Sequence, residues 1–126
     1  AADVGKTCYI NFRYNYASAQ ANQISMTNTL MGSSPRVKLL WDFYHMQLEE
    51  GDLIQKFKAG FDQVGYIQIG DVPGRHEPGT GEINHANLIH AIRANGYNGK
   101  IGLEFMPLLD NWRAAVKAVA GLDTSG

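Results

Sequence analysis

Cysteine is almost missing. Cys8 is the single one in 126 residues, which excludes an intrachain disulfide and any metal cluster built from several thiolates. An excess of charge of either sign is missing too: 11 basic against 12 acidic side chains leave a formal charge of −1. The chain therefore has no broad electrostatic footprint for nucleic acid or an anionic membrane. No apolar run approaches the roughly 20 residues of a membrane span, and Ala1 to Lys6 lack the apolar core of a secretory signal. These absences predict a cytoplasmic protein with a small partner, no nucleic acid and no membrane. What is present, 44% hydrophobic and 18% charged residues, predicts one globular domain over residues 1–126.

Along the chain, Thr7 to Phe12 is a strand candidate. A polar stretch follows, in which a ragged apolar stripe predicts a weak helix near Ala19 to Met31. Gly32-Ser33-Ser34-Pro35 breaks it. Val37 to Phe43 is almost continuously apolar, the pattern of a strand buried on both faces of a parallel sheet. Beyond Gly51-Asp52, Leu53, Ile54, Phe57, Phe61 and Val64 recur at helical spacing, with Asp52 placed to cap the first turn. Tyr66 to Ile69 predicts another strand. Leu88, Ala91 and Ile92 mark a helix capped by Asn84 and stopped at Asn95-Gly96. Lys100 to Phe105 is the next strand, and Trp112, Ala115, Val116 and Val119 mark a last helix before Gly121. The order is a strand followed by a helix, four times over, which predicts an α/β fold with parallel strands and right-handed crossovers.

The stretch from Gly65 to Glu82 stands out. Its strand carries a polar Gln68 between apolar neighbours and opens into a loop holding Arg75, His76, Glu77, two prolines and several glycines. Loops between a strand and a helix ordinarily take two to six residues, whereas this one runs for about a dozen. Asp42, Gln68 and Glu104 fall at or near the ends of three successive strands, where parallel α/β folds collect their functional groups. Two carboxylates and an amide oxygen make a hard, oxygen-only donor set that suits Mg²⁺ or Mn²⁺. His45, Arg75 and His76 could contact a substrate held there, and Glu104 could move a proton on a hydroxy-carbonyl compound whose C–H is acidified by chelation.

Blander readings compete with these. An acid at a strand end often caps a helix, and Gln68 could satisfy a structural network equally well. His85 and His90 read as structural, on the surface or flank of a helix. Trp41, Trp112, Phe57 and Phe61 read as core. His76-Glu77 does not continue into a zinc-protease motif, and Gly74 to Gly81 lacks the lysine of a phosphate-binding P-loop.

Val37 to Leu53, Gly65 to Asn84, Gly96-Tyr97 and Ile101-Gly-Leu-Glu104 closely resemble hydroxypyruvate isomerases, which belong to the xylose-isomerase-like TIM barrels. The resemblance implies half of a (β/α)₈ barrel, four of its eight units, with residues 1–34 diverging from the family. It implies a divalent metal, Mg²⁺ or Mn²⁺, held by Asp42, Gln68 and Glu104, with Glu104 also catalytic. His45 and Arg75 fall where the family contacts substrate, with His76 beside them. The implied reaction interconverts hydroxypyruvate and tartronate semialdehyde. The family's other catalytic glutamate has no counterpart in Tyr9-Ile10-Asn11-Phe12, where Asn11 is the nearest substitute. A non-catalytic half-barrel that keeps the fold and ligand binding is therefore the alternative. Half a barrel also exposes two strand edges and an inner face, which predicts a homo-oligomer or a complementary half-barrel as partner. Leu39, Trp41, Ile67, Ile69, Ile101 and Leu103 are read as alternating between faces, so whichever set faces inward forms an apolar patch.

Overall fold

A computed structural model describes residues 8–10, 34–108 and 111–124. The predicted helix near residues 19–31, Asn11 and most of residues 1–34, which the sequence reading sets apart from the family, lie outside them. Four strands, β1 (Cys8–Ile10), β2 (Val37–Asp42), β3 (Val64–Ile69) and β4 (Ile101–Leu103), pair in sequence order. Every pairing is parallel, with Ile10 opposite Leu39, Asp42 opposite Gln68 and Gln68 opposite Gly102. Sequential parallel strands need a crossover between them. Between β2 and β3 the crossover holds two helices, α1 (Phe43–Glu49) and α2 (Leu53–Gly60), and a 3-10 turn at Phe61–Gln63. Helix α3 (His85–Ala94) joins β3 to β4, and α4 (Trp112–Ala120) follows β4.

The helices cover one face of the sheet. Leu39, Trp41, Ile67 and Ile69 point to that side and are fully buried with Phe43, Met46, Phe57, Leu88, Ile89 and Ile92. Trp41 meets Phe57 edge-on at 5.9 Å between ring centroids, and Phe57 lies 5.6 Å from Phe43. Each such side chain contributes about 1.5–3 kcal/mol by leaving water. Strand alternation sends Leu40, Asp42, Tyr66 and Gln68 to the opposite, inner face, which is therefore mixed in character. The expectation that Leu39, Trp41, Ile67 and Ile69 could make an apolar inner face is thus corrected: the helices claim all four.

Other expectations are corrected in detail. Val37 to Phe43 is strand only as far as Asp42, because Asp42 caps a helix that the apolar run concealed. Asp52 precedes α2 in a left-handed conformation (φ 49°) and makes no side-chain capping bond. Asn84 does cap α3, accepting from the Asn87 N–H at 3.1 Å. Trp112 is 61% exposed rather than core: it is the first residue of α4, one turn before the buried stripe of Ala115 and Val119 begins. His85 is buried instead of lying at the surface, whereas His90 is exposed. No helix among the described residues is long and apolar enough to cross a membrane.

Candidate functional site

The carboxyl ends of β2, β3 and β4 bring the predicted residues together around Arg75. Asp42 ends β2 and is 3% exposed, and its two oxygens divide the work. Oδ1 accepts from the backbone N–H groups of Tyr44 and His45, at 3.0 and 3.3 Å, and so starts α1. Oδ2 faces the loop after β3, where Arg75 Nη2 donates to it at 2.6 Å. Capping turns α1 so that Tyr44 and His45 also meet the guanidinium. Arg75 Nη1 lies 2.9 Å from His45 Nε2, and Arg75 Cζ lies 4.6 Å from the centre of the Tyr44 ring. A guanidinium can only donate, so Nε2 is the acceptor and the His45 proton sits on Nδ1.

Glu104 follows β4 and completes the ring. Its backbone carbonyl accepts from Arg75 Nε at 3.0 Å, and its Oε2 stands 3.0 Å from the same Arg75 Nη2 that binds Asp42. Gly70 permits this closeness, since a Cβ there would stand 2.9 Å from the Glu104 carbonyl oxygen. Arg75 itself adopts φ 60°, a conformation that costs a residue with a side chain about 1–3 kcal/mol and persists only where the surroundings enforce it.

Gln68 sits on β3 between Asp42 and Gly102 in register. Its Oε1 is buried with no hydrogen-bond partner, an orphan acceptor that native structures rarely leave unused. His76 is placed differently from His45 and Arg75. Its Nδ1 donates to the Met106 carbonyl at 2.7 Å, which ties the loop after β3 to the segment after β4.

These positions can be tested for a hard cation. Asp42 Oδ2 and Glu104 Oε2 flank one cationic nitrogen at 2.6 and 3.0 Å, so they lie no more than 5.6 Å apart. An ion bound to both at about 2.0–2.6 Å needs them no more than about 4.0–5.2 Å apart, a separation this bound allows. Among the described residues no three His, Cys, Asp or Glu side chains group as metal ligands. The third oxygen here is an amide, the orphan of Gln68. The donor set fits a hard divalent ion, with the guanidinium now supplying the positive charge.

Sequence reasoning missed two contributors. Tyr44 carries no polar signature that would single it out. Asp71 does, as an acid leading into a glycine-rich loop with amides to spare. It is fully buried, and its carboxylate accepts from the N–H groups of Val72, Gly79, Gly81 and Ile83 at 2.8 to 3.1 Å. Burial pushes its carboxyl up, but these four amides outweigh it and hold the group below the usual carboxylate range. His85 Nδ1 lies 3.6 Å from Asp71 Oδ2, and burial pushes the His85 imidazole down despite that neighbour. Glu77 accepts from the Leu108 N–H at 2.9 Å, which holds its carboxyl below the ordinary value.

Comparison with known proteins places this geometry. Residues 14–121 match the family described as xylose isomerase-like TIM barrel. Hydroxypyruvate isomerase of Escherichia coli K12 is 45% identical over 71 residues, 56% of this chain and 28% of that protein. A 2-oxo-tetronate isomerase of Cupriavidus necator is 44% identical over 71 residues, 56% of this chain and 27% of that one. The chain thus spans little more than a quarter of these curated relatives. Among solved structures, the apo form of 3-keto-D-glucoside 4-epimerase from E. coli superposes with a TM-score of 0.77 at 26% identity, over 95% of this chain and 46% of that one. An AP endonuclease, family 2, from Brucella melitensis gives 0.79 at 25% identity, over 91% and 46%. Four parallel strands in a chain that covers just under half of such structures make this a partial α/β barrel, as the sequence predicted. With the family matched across most of its length and the fold of its solved relatives in place, the chain belongs to the xylose isomerase-like TIM barrel family.

Proposed function

We propose that this chain carries part of the active site of an isomerase acting on small hydroxy-carbonyl acids, interconverting hydroxypyruvate and tartronate semialdehyde. One observation carries the reading: Asp42 Oδ2 and Glu104 Oε2 converge on a single cationic nitrogen, with the orphan Oε1 of Gln68 on the strand between them. Asp42, Gln68 and Glu104 would hold Mg²⁺ or Mn²⁺. A bound divalent ion polarises a carbonyl oxygen and so acidifies the neighbouring C–H.

The chain's own residues supply the rest. Arg75 binds the substrate carboxylate, its planar donors suiting that group. His45, oriented by the backbone of α1, presents its imidazole edge to a substrate hydroxyl. Glu104, whose side chain is 36% exposed, takes the proton from the hydroxymethyl carbon as a carboxylate. The C–H electron pair forms a carbon–carbon double bond, and the carbonyl electrons move onto oxygen. Glu104 then returns the proton to the adjacent carbon, while the original hydroxyl passes its own proton to the former carbonyl oxygen and becomes the new carbonyl, so no atom is gained or lost. His76 contributes through the loop that carries Arg75.

A second reading, a non-catalytic module that binds the same ligand, draws on Tyr9-Ile10-Asn11-Phe12, which offers no acid. An amide can coordinate a cation but cannot serve as a base near neutral pH. Incubating the purified chain with hydroxypyruvate and Mg²⁺ or Mn²⁺, with and without chelator, separates the two. Metal-dependent formation of tartronate semialdehyde supports the isomerase. Saturable binding without conversion supports the module, and the absence of both binding and conversion overturns both readings.

A further inference from the structure

The loop that carries Arg75 closes on an acid that is fully buried, out of reach of any substrate. Asp71 follows β3 by two positions and directs both carboxylate oxygens inward. Oδ1 takes the N–H groups of Val72 and Ile83, and Oδ2 those of Gly79 and Gly81. The two ends of a long loop are thereby tied to one point. Its own N–H donates to the His76 carbonyl at 2.8 Å, and the Glu82 N–H donates to the Val72 carbonyl at 2.7 Å, so Asp71 pairs with His76 as an isolated antiparallel bridge. Gly81 is obligatory, because a Cβ there would overlap the Val72 carbonyl.

The segment between those ties is Arg75-His76-Glu77, and each of its residues bonds the stretch after β4. The Met106 N–H donates to the Arg75 carbonyl at 2.8 Å, His76 Nδ1 donates to the Met106 carbonyl, and Glu77 accepts from the Leu108 N–H. Arg75 is held left-handed between the two systems, with its guanidinium between Asp42 and Glu104.

We propose that Asp71 is the positioning residue for Arg75: its amide cage sets the loop that holds the guanidinium between the carboxylates of Asp42 and Glu104. The negative charge is met by amide dipoles, which have fixed direction, so the cage specifies a geometry where a mobile cation partner would not. Its kinetic consequence rests on the isomerase reading above, since it takes Arg75 to be the group that binds the substrate carboxylate.

Asp71→Asn tests this, because it keeps the size and replaces one acceptor oxygen with an NH₂ group that faces N–H donors. In NMR hydrogen exchange, the Arg75 Nε–H and the Met106 amide should lose protection together with Gly79 and Gly81. Loss at Gly79 and Gly81 alone, with Arg75 Nε–H and Met106 unchanged, would overturn the proposal. In kinetics with hydroxypyruvate, KM should rise at least about tenfold while kcat changes less. The same substitution in an Arg75→Gln background should add little, because two residues acting through one contact are not additive. Additive effects would make Asp71 merely structural. Should Asp71→Asn fail to fold, Gly79→Ala loosens one tie of the same cage through its positive φ alone, with open space for the added methyl, and carries the same expectations. A wild-type chain that does not turn over hydroxypyruvate sinks the functional reading, and the exchange result then decides the role of Asp71 by itself.

Discussion

Asp42 and Asp71 stand at the same end of neighbouring strands, and both are buried carboxylates. Asp71 spends both oxygens on the backbone of one loop. Asp42 spends one oxygen on the backbone of α1 and turns the other toward a side chain that can move. Amide dipoles are part of the fold and cannot be exchanged without rearranging it, whereas a guanidinium can give way to another cation or turn to a ligand. Burial alone therefore does not mark a functional acid. The partner does.

Glu104→Gln probes the exchangeable side of this contrast and should have the largest effect. Losing a positioned base lowers turnover about 10²–10⁴-fold, measured as initial rates with hydroxypyruvate and Mg²⁺, while the fold survives. Unchanged turnover would remove Glu104 from the pair. Asp42→Asn should keep α1, since asparagine caps as well as aspartate, yet weaken Mn²⁺ binding at least about tenfold in a direct titration. Equal affinity in the variant would show that Asp42, like Asp71, serves only the backbone.

On the locked side, Asp71→Asn should cost about 1.5–3 kcal/mol of stability, the range for hydrogen bonds to a charged group, read from the urea midpoint. Acid sharpens the contrast further. Because the folded structure depresses the Asp71 carboxyl, its contribution is present above the unfolded value near 3.9 and is lost as pH falls through the lower folded value. The depressed His85 imidazole acts earlier. The unfolded chain takes up its proton below about pH 6.5 while the folded one resists, so stability begins to fall there. Urea midpoints measured from pH 7 to 3 should show the decline starting with His85, and His85→Gln should flatten its first part.

The smallest effects set an engaged cap against an idle one. Asn84→Ala should cost about 1 kcal/mol. Asp52→Ala removes no capping bond, and its cost should stay within about 0.5 kcal/mol of zero. A larger loss at Asp52 would mean that its side chain supports the left-handed turn before α2.

Much of this was legible in the residues. Alternating strands and helices, the long loop after β3 and three oxygens at strand ends follow from periodicity and position, because apolar spacing reports which face is buried and parallel strands end on the same side. The chain by itself thus determined a parallel α/β fold with Asp42, Gln68 and Glu104 at one end of the sheet, and its resemblance to a known family added the partial barrel. It did not determine α1, whose apolar start merged with β2, nor the exposure of Trp112, since an aromatic residue reads the same whether or not something packs on it. Only the tertiary structure decided that Asp71 is a tie point, that His76 bonds the Met106 backbone and that Arg75 lies between two carboxylates. Apart from the bond of Asp71 to its neighbour Val72, those contacts join residues 8 to 33 positions apart through directional bonds, most of them to backbone groups. Backbone groups are identical at nearly every position, so their partners are settled by where the chain brings them and leave no mark in the order of side chains.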